Sequence, residues 1–345
     1  MLQAKTKDGT LITPAKLSRQ QLERYRSENF YCPVCDERVI LKAGQQVIPH
    51  FAHFSHKVCP TSSGGEGPYH EQGKLILYEW LSKQNLKVQL EAYIPDIKQQ
   101  PDLLVTINRR KIAIEFQSSR ISTKIIQQRN LGYLQANIQP IWILSARQFK
   151  QRSANVIHVD HFTQQFMHQF SKNYPLTLYY FCPLRQKFLL AQHIHLLSTV
   201  SAFAHLQYYP LREINFLDLF VVHSLNKFIF KRRWKQVKRD FRTRPRRRQY
   251  GRTFQWYQWL YSRHTNVQYL PSIVYLPVQA QVYMRQPLWE WQSRLCLDII
   301  DRTPIGSPIN LSFAQKYFHH ALISPRFFPL IKQLQHPINE YFRRL

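Results

Sequence analysis

The chain has 345 residues, 44% of them hydrophobic and 14% aromatic, which excludes a disordered tail and leaves room for two or three domains with their own cores. Its 48 Lys+Arg against 20 Asp+Glu give a formal net charge of +28, so polyanions are the expected partners, nucleic acid first and an anionic membrane surface second. The most apolar tract, 216–230, is interrupted by Asp218, His223, Asn226 and Lys227 and is too short to span a membrane. The first ten residues lack the apolar core of a signal peptide, and the cysteines number five, which suits metal-bound or free thiols in a cytoplasmic protein better than a disulfide framework.

In chain order, Asp8-Gly9 between two strand-like runs signals a hairpin, and SRQQLERYRSENF reads as a short polar helix. RVILK and QVIPHF alternate like strands around Ala43-Gly44. TSSGGEGP at 61–68 is linker-like, and from Tyr69 the apolar residues Leu75, Leu77, Tyr78, Trp80 and Leu81 recur at helical spacing. Three strands follow, KVQLEAYIP, PDLLVTI and KIAIEFQ, the last two joined at Asn108-Arg109-Arg110. A helix over SSRISTKIIQQRNLGYLQAN, with Ser122 as N-cap, leads to the all-apolar strand PIWIL. The order α-β-β-β-α-β defines a compact α/β core. Beyond about 150, residues 176–194 resemble a hairpin, and the later half reads as mostly helical and aromatic. The expected domains are a zinc-binding segment at 1–65, the α/β core at 66–155 and a basic, aromatic-rich domain at 156–345.

Cys32-x2-Cys35 is followed by His50-x2-His53, His56 and Cys59. A tetrahedral Zn2+ takes four such ligands from two tight turns brought together by a hairpin, as in zinc ribbons. The segment offers more ligands than the ion needs. Cys32, Cys35, His53 and Cys59 are the expected set, with His50 as the alternative, and the zinc is structural. Cys182 and Cys296 read as ordinary buried or half-buried thiols.

In an antiparallel hairpin turning at 108–110, Asp102 comes opposite residues 115–117, and Glu115 shares a face with Gln117. Two carboxylates at one point of a basic protein repel each other unless a divalent cation lies between them. Mg2+ or Mn2+ held by Asp102 and Glu115 would support phosphodiester hydrolysis. Glu66, His70 and Lys74 lie at i, i+4 and i+8, along one stripe if the helix begins by Glu66. Glu66 is then a further metal ligand, His70 a residue that meets phosphate or orients water, and Lys74 a DNA contact. Arg129 and Tyr133, i and i+4 on the next helix, are expected to meet the DNA backbone.

These residues carry a resemblance. PD-x12-EFQ in an α-β-β-β-α-β setting resembles the PD-(D/E)xK nuclease superfamily. The ordered run YCPVC, HFAHFSHKVC, EGPYHEQGK, PDLLV, IAIEFQSSRIS, R-x3-Y and PIWIL, over residues 31–144, is similar more closely to the competence protein CoiA family. The resemblance implies a zinc-binding N-terminal segment, a nuclease-like domain and a C-terminal domain. It also implies a role in natural transformation, in which incoming single-stranded DNA recombines with a RecA-type recombinase as partner. Gln117 occupies the position where the superfamily more often has Lys. A lysine would place a positive charge beside the scissile phosphate, whereas Gln orients by hydrogen bonds alone.

In the last third, 231–252 is a dense Lys/Arg run with Trp234, Phe241 and Tyr250 interleaved. Cations release counterions from phosphate and aromatics stack on exposed bases, so Arg246, Arg247 and Arg248 are the expected contacts to single-stranded or branched DNA. Pro245 argues against one uninterrupted helix, and most of the tryptophans nearby are expected in the core.

Overall fold

The computed structural model describes residues 1–44, 47–54, 59, 67–244, 250–332 and 334–345. In chain order its elements are β1 (Ala4–Lys5), β2 (Leu11–Ile12), α1 (Arg19–Tyr25), β3 (Phe30–Tyr31), β4 (Arg38–Lys42), β5 (His50–His53), α2 (Pro68–Ser82), β6 (Lys87–Leu90), β7 (Leu103–Ile107), β8 (Arg110–Gln117), α3 (Thr123–Gln135) and β9 (Ile138–Ser145). They continue as β10 (Gln151–Ser153), β11 (Val156–His158), α4 (His161–Gln164), β12 (Leu178–Cys182), β13 (Lys187–Ser198), β14 (Ser201–Pro210), α5 (Lys227–Thr243), α6 (Gly251–Ser262), α7 (Leu288–Arg294), α8 (Leu311–Tyr317) and α9 (Pro337–Phe342). The α-β-β-β-α-β order expected from Tyr69 onward is α2-β6-β7-β8-α3-β9.

The chain divides into two compact units. The first holds Met1–Phe149, Leu178–Leu190 and Gln207–Val221; the second holds Lys150–Thr177, Ala191–Leu206 and Val222–Leu345. The 155/156 boundary read from composition falls inside the β10–β11 hairpin, where Gln151 pairs with Ile157.

In the first unit, a small antiparallel sheet has the order β2-β1-β3-β4-β5. Its first hairpin turns at Asp8-Gly9, with Gly9 at φ +87°, which only glycine adopts without strain. Helix α1 begins in a capping box in which Ser18 and Gln21 satisfy each other's backbone N–H groups. Phe30, Phe51, Val39, Cys32 and Cys59 form its core.

The larger sheet of this unit runs β12-β9-β8-β7-β6. The β7–β8 hairpin turns at Asn108 and Arg109, both at positive φ, and its register pairs Ile107 with Arg110 and Leu103 with Ile114. Continued by one residue, that register sets Asp102 opposite Glu115. β9 runs parallel to β8, with Glu115 beside Trp142. Side chains of β8 alternate. Phe116 packs under α2, against the rings of Tyr69 and His70, while Ala113 packs with Tyr133 of α3. The two helices therefore cover opposite faces, and the acids sit where the sheet ends between them.

In the second unit, Trp234, Trp256, Trp289 and Trp291 are buried and Trp259 is half-buried, as the aromatic tract suggested. Trp234 donates to the Tyr275 carbonyl at 2.8 Å and Trp256 to Ser293 Oγ at 2.9 Å, so each indole N–H has a partner inside the core. α5 ends at Thr243, before Pro245, and α6 begins at Gly251.

Candidate functional site

Two clusters of chemistry-bearing side chains lie in the first unit. The first is Cys32, Cys35, His53 and Cys59, whose ligand atoms all lie within 4.8 Å of one another; it is the one group of three or more Cys, His, Asp or Glu with metal-ligand spacing among the described residues. The turn after β3 supplies Cys32 and Cys35, and β5 ends on His53. Cys32 Sγ is 3.9 Å from Cys59 Sγ, and Cys35 Sγ is 3.3 Å from His53 Nε2. Burial pushes the Cys32 thiol up to about 12 and holds the His53 imidazole below its ordinary value. Three soft donors and an imidazole in one tetrad can hold a metal ion, and the donor set suits Zn2+. His50 turns elsewhere: its Nδ1 lies 2.8 Å from the Ile48 carbonyl and 3.8 Å from Glu71 Oε2. His56 lies outside the described residues.

The second cluster is built on the open end of the β7–β8 hairpin. Asp102 Oδ2 accepts the Phe116 N–H at 2.7 Å, which fixes the carboxylate against β8. Its Oδ1 faces α2, 3.3 Å from His70 Nε2 and 3.8 Å from Lys74 Nζ. His70 is oriented from its other side by Ser118, with Nδ1 3.2 Å from the hydroxyl oxygen. Glu115 faces α3 instead. Its Oε1 accepts from the Tyr133 hydroxyl and pairs with Arg129 Nη2 at 2.5 Å. Burial raises the Glu115 carboxyl to about 7. Arg129 opposes that rise and the charge of Asp102 adds to it. Burial alone would lower the Arg129 guanidinium, but Glu115 holds it above its ordinary value.

The sequence suggested Lys74, Arg129 and Tyr133 as contacts to DNA. Lys74 and Tyr133 are buried, Arg129 is half-buried with 22% of its side chain exposed, and each meets a buried carboxylate. Lys74 is 1% exposed and lies 2.6 Å from Glu91 Oε1; Tyr133 is buried on Glu115. Gln117 is also buried, and its amide donates to the Ser119 carbonyl at 2.8 Å. Glu66 and Arg246, Arg247 and Arg248 lie outside the described residues.

Glu91 is the member that sequence reasoning passed over. It follows β6 with φ +48°, its Oε2 accepts the Leu2 N–H at 2.7 Å, and Lys74 joins it to Asp102, so that Glu91, like Asp102 and Glu115, is a buried acid of this sheet. The signal was an acid placed directly after the apolar end of a strand in an acid-poor chain.

The three acids offer oxygen donors, the kind a hard divalent cation takes, and His70, Lys74 and Arg129 lie beside them. Asp102 and Glu115 would hold Mg2+ or Mn2+. The bound ion would supply charge stabilisation at phosphate and an activated water.

In the second unit, α5 turns Trp234 inward. Lys238 and Arg242 bond to the carbonyls of Ser272 and Pro271, while Lys227, Lys231, Arg232, Lys235 and Arg239 are exposed. Phe228 is exposed on the same helix.

A β-sheet core with an acidic hairpin end, and ahead of it a Cys/His tetrad that could hold a metal ion, are the features of a nuclease-like protein. Three family models match in order: the N-terminal domain of competence protein CoiA over residues 14–62, its nuclease-like domain over 66–224 and its C-terminal domain over 229–343. The competence protein CoiA of Bacillus subtilis (strain 168) is 30% identical over 315 residues, covering 90% of this chain and 83% of the relative. The chain belongs to the competence protein CoiA family. No solved structure matches it. No helix among the described residues is long and apolar enough to cross a membrane.

Proposed function

We propose that this protein acts in natural transformation by binding incoming single-stranded or branched DNA and cleaving it with Mg2+ or Mn2+ at Asp102 and Glu115. The observation that carries the reading is the meeting of three buried acids with Lys74, Arg129 and His70 at one hairpin end. Within that group Asp102 and Glu115 hold the cation. Tyr133 and Arg129 fix the rotamer of Glu115, and His70, oriented by Ser118, is placed to hold or move a proton at Asp102 Oδ1. Zn2+ in the tetrad Cys32, Cys35, His53 and Cys59 holds the N-terminal sheet together. The DNA strand lies along the exposed cations of α5 and the Arg246–Arg248 run, and a RecA-type recombinase takes over the strand.

A second reading keeps the DNA and recombinase roles without cleavage. It is favoured by Gln117, which brings no charge and spends its amide on Ser119, and by Arg129 and Tyr133, which already occupy Glu115 Oε1. Complementation separates the two readings. In a naturally transformable bacterium lacking its own family member, the wild-type chain restores transformation by linear DNA. Failure of Asp102→Asn and Glu115→Gln at equal protein level supports the enzyme. Full restoration by both variants would leave the mediator reading standing.

A further inference from the structure

The nuclease-like site lacks a lysine at position 117, yet it does not lack a buried ammonium. Lys74 Nζ lies between two carboxylates, 2.6 Å from Glu91 Oε1 and 3.8 Å from Asp102 Oδ1, with its side chain 1% exposed. A lysine in the interior is costly in both desolvation and side-chain entropy, so such placement persists where other contacts determine it. Here they do. Glu91 Oε2 accepts the Leu2 N–H at 2.7 Å and the Gln3 N–H at 3.3 Å. The Glu91 carbonyl accepts Gln100 Nε2 at 2.7 Å. The backbone of Glu91 sits at φ +48°, a left-handed conformation that costs about 1 kcal/mol or more in a non-glycine residue. The N-terminal strand thus holds the Glu91 carboxylate and Gln100 holds its backbone, and that carboxylate holds the lysine at Asp102.

The geometry points to Lys74 as the fixed cation of this site, supplied by α2 in place of strand position 117. Glu91, clamped by the N–H groups of Leu2 and Gln3, is the positioning residue that keeps it there. This inference rests on the nuclease reading above and adds to it the source of the positive charge. It also gives the N-terminal strand a task. The chain that enters β1 beside the Cys/His sheet reaches the carboxylate site through Leu2 and Gln3, so the placement of Lys74 depends on that strand being seated. A buried ion pair serving only to tie α2 to β6 would need no approach to Asp102. It would also leave the site indifferent to where a positive charge is supplied.

The test moves the charge. Lys74→Met/Glu91→Gln removes the ion pair as a unit, which avoids leaving a lone buried charge and keeps an acceptor for the Leu2 N–H. Adding Gln117→Lys returns a lysine to the neighbouring strand position. Single-turnover cleavage of a labelled single strand with Mn2+ is measured for wild type, the double variant and the triple variant. Calorimetric Mn2+ binding and circular dichroism are measured on the same preparations. The double variant is expected to fold, to cleave about 100-fold more slowly or worse, and to bind Mn2+ about as well as the wild type, because one positive and one negative charge leave together. The triple variant is expected to regain most of the cleavage rate. A double variant that folds and cleaves at the wild-type rate overturns the role of Lys74 and leaves the nuclease reading intact. A double variant that stays slow with no recovery in the triple variant also overturns it, as a scaffold effect. A wild-type protein that neither cleaves nor binds Mn2+ overturns the nuclease reading, and the role of Lys74 falls with it.

Discussion

Two helical glycines distinguish a fixed core contact from a yielding one. Gly73 of α2 faces Phe116, and a Cβ there would overlap the ring, at 2.5 Å from Cδ1 and 2.9 Å from Cζ. Phe116 is 1% exposed and enclosed by Tyr69, His70 and Phe181, so the ring has nowhere to go except with β8 itself. Overpacking of this kind costs about 1–3 kcal/mol, and Ala recovers about 1 kcal/mol over Gly in a helix. With a rigid ring as the obstacle the cost lies at the upper end, so Gly73→Ala is expected to lose about 1–2 kcal/mol net, and to loosen Asp102, which is held by the Phe116 N–H. Gly132 of α3 is the control. A Cβ there meets the end of Gln99, at 2.9 Å from Cδ, and that flexible side chain can swing away. Its displacement gives up a hydrogen bond to the Gln128 carbonyl, about 1 kcal/mol, which the helix propensity of Ala offsets. Gly132→Ala should therefore be near neutral. The two compact units need not unfold together, so the assay is native-state hydrogen exchange of peptides from β7 and β8, read by mass spectrometry. Protection in Gly73→Ala equal to or above that of Gly132→Ala would refute the packing argument.

Three other expectations follow from the same contacts. Purified without chelator, the protein should carry about one equivalent of zinc, and Cys59→Ser should lose it together with protection of β3–β5 while the β7–β8 hairpin stays protected. His168 and His195 are fully buried, and burial lowers them to about 3 and about 4, below the usual 6.5. The unfolded chain thus binds more protons, and the second unit should lose stability as pH falls from 6.5 toward 4, by a few kcal/mol, as read by urea midpoints across that range. Replacing Lys227, Lys231, Arg232 and Lys235 together with Gln should flatten the dependence of log K on log salt for single-stranded DNA by about 3. An unchanged slope would remove α5 from the interface.

The parts of the site legible in the sequence were those set by local chemistry. Asn108-Arg109 turns the hairpin, the register follows from it, and Asp102 falls opposite Glu115 one residue beyond the paired strands. Likewise, a Cys-x2-Cys turn and a strand ending in His53 bring four ligands together once β4 pairs with β5. What stayed hidden depends on contacts between distant segments. Lys74 and Tyr133 look like surface residues on helical spacing alone, and only the packing of α2 and α3 on opposite faces buries them against Glu91 and Glu115. Glu91 passed unnoticed within KVQLEAYIP because its partners, Leu2 and Gln3, lie 89 and 88 residues away. The middle of the chain was hidden for a similar reason: β13 and β14 each give residues to both compact units, so no single cut in the sequence separates them.

The central claim is that Asp102 and Glu115 form a working site for phosphodiester hydrolysis. Its most direct measurement is single-turnover cleavage of an end-labelled single strand by excess protein with Mn2+, comparing wild type with Asp102→Asn and Glu115→Gln under conditions where all three bind the strand equally. The account predicts cleavage by the wild type, abolished by EDTA and reduced at least about 100-fold in each variant. Equal cleavage by all three proteins, or binding with no cleavage by any of them, would contradict it.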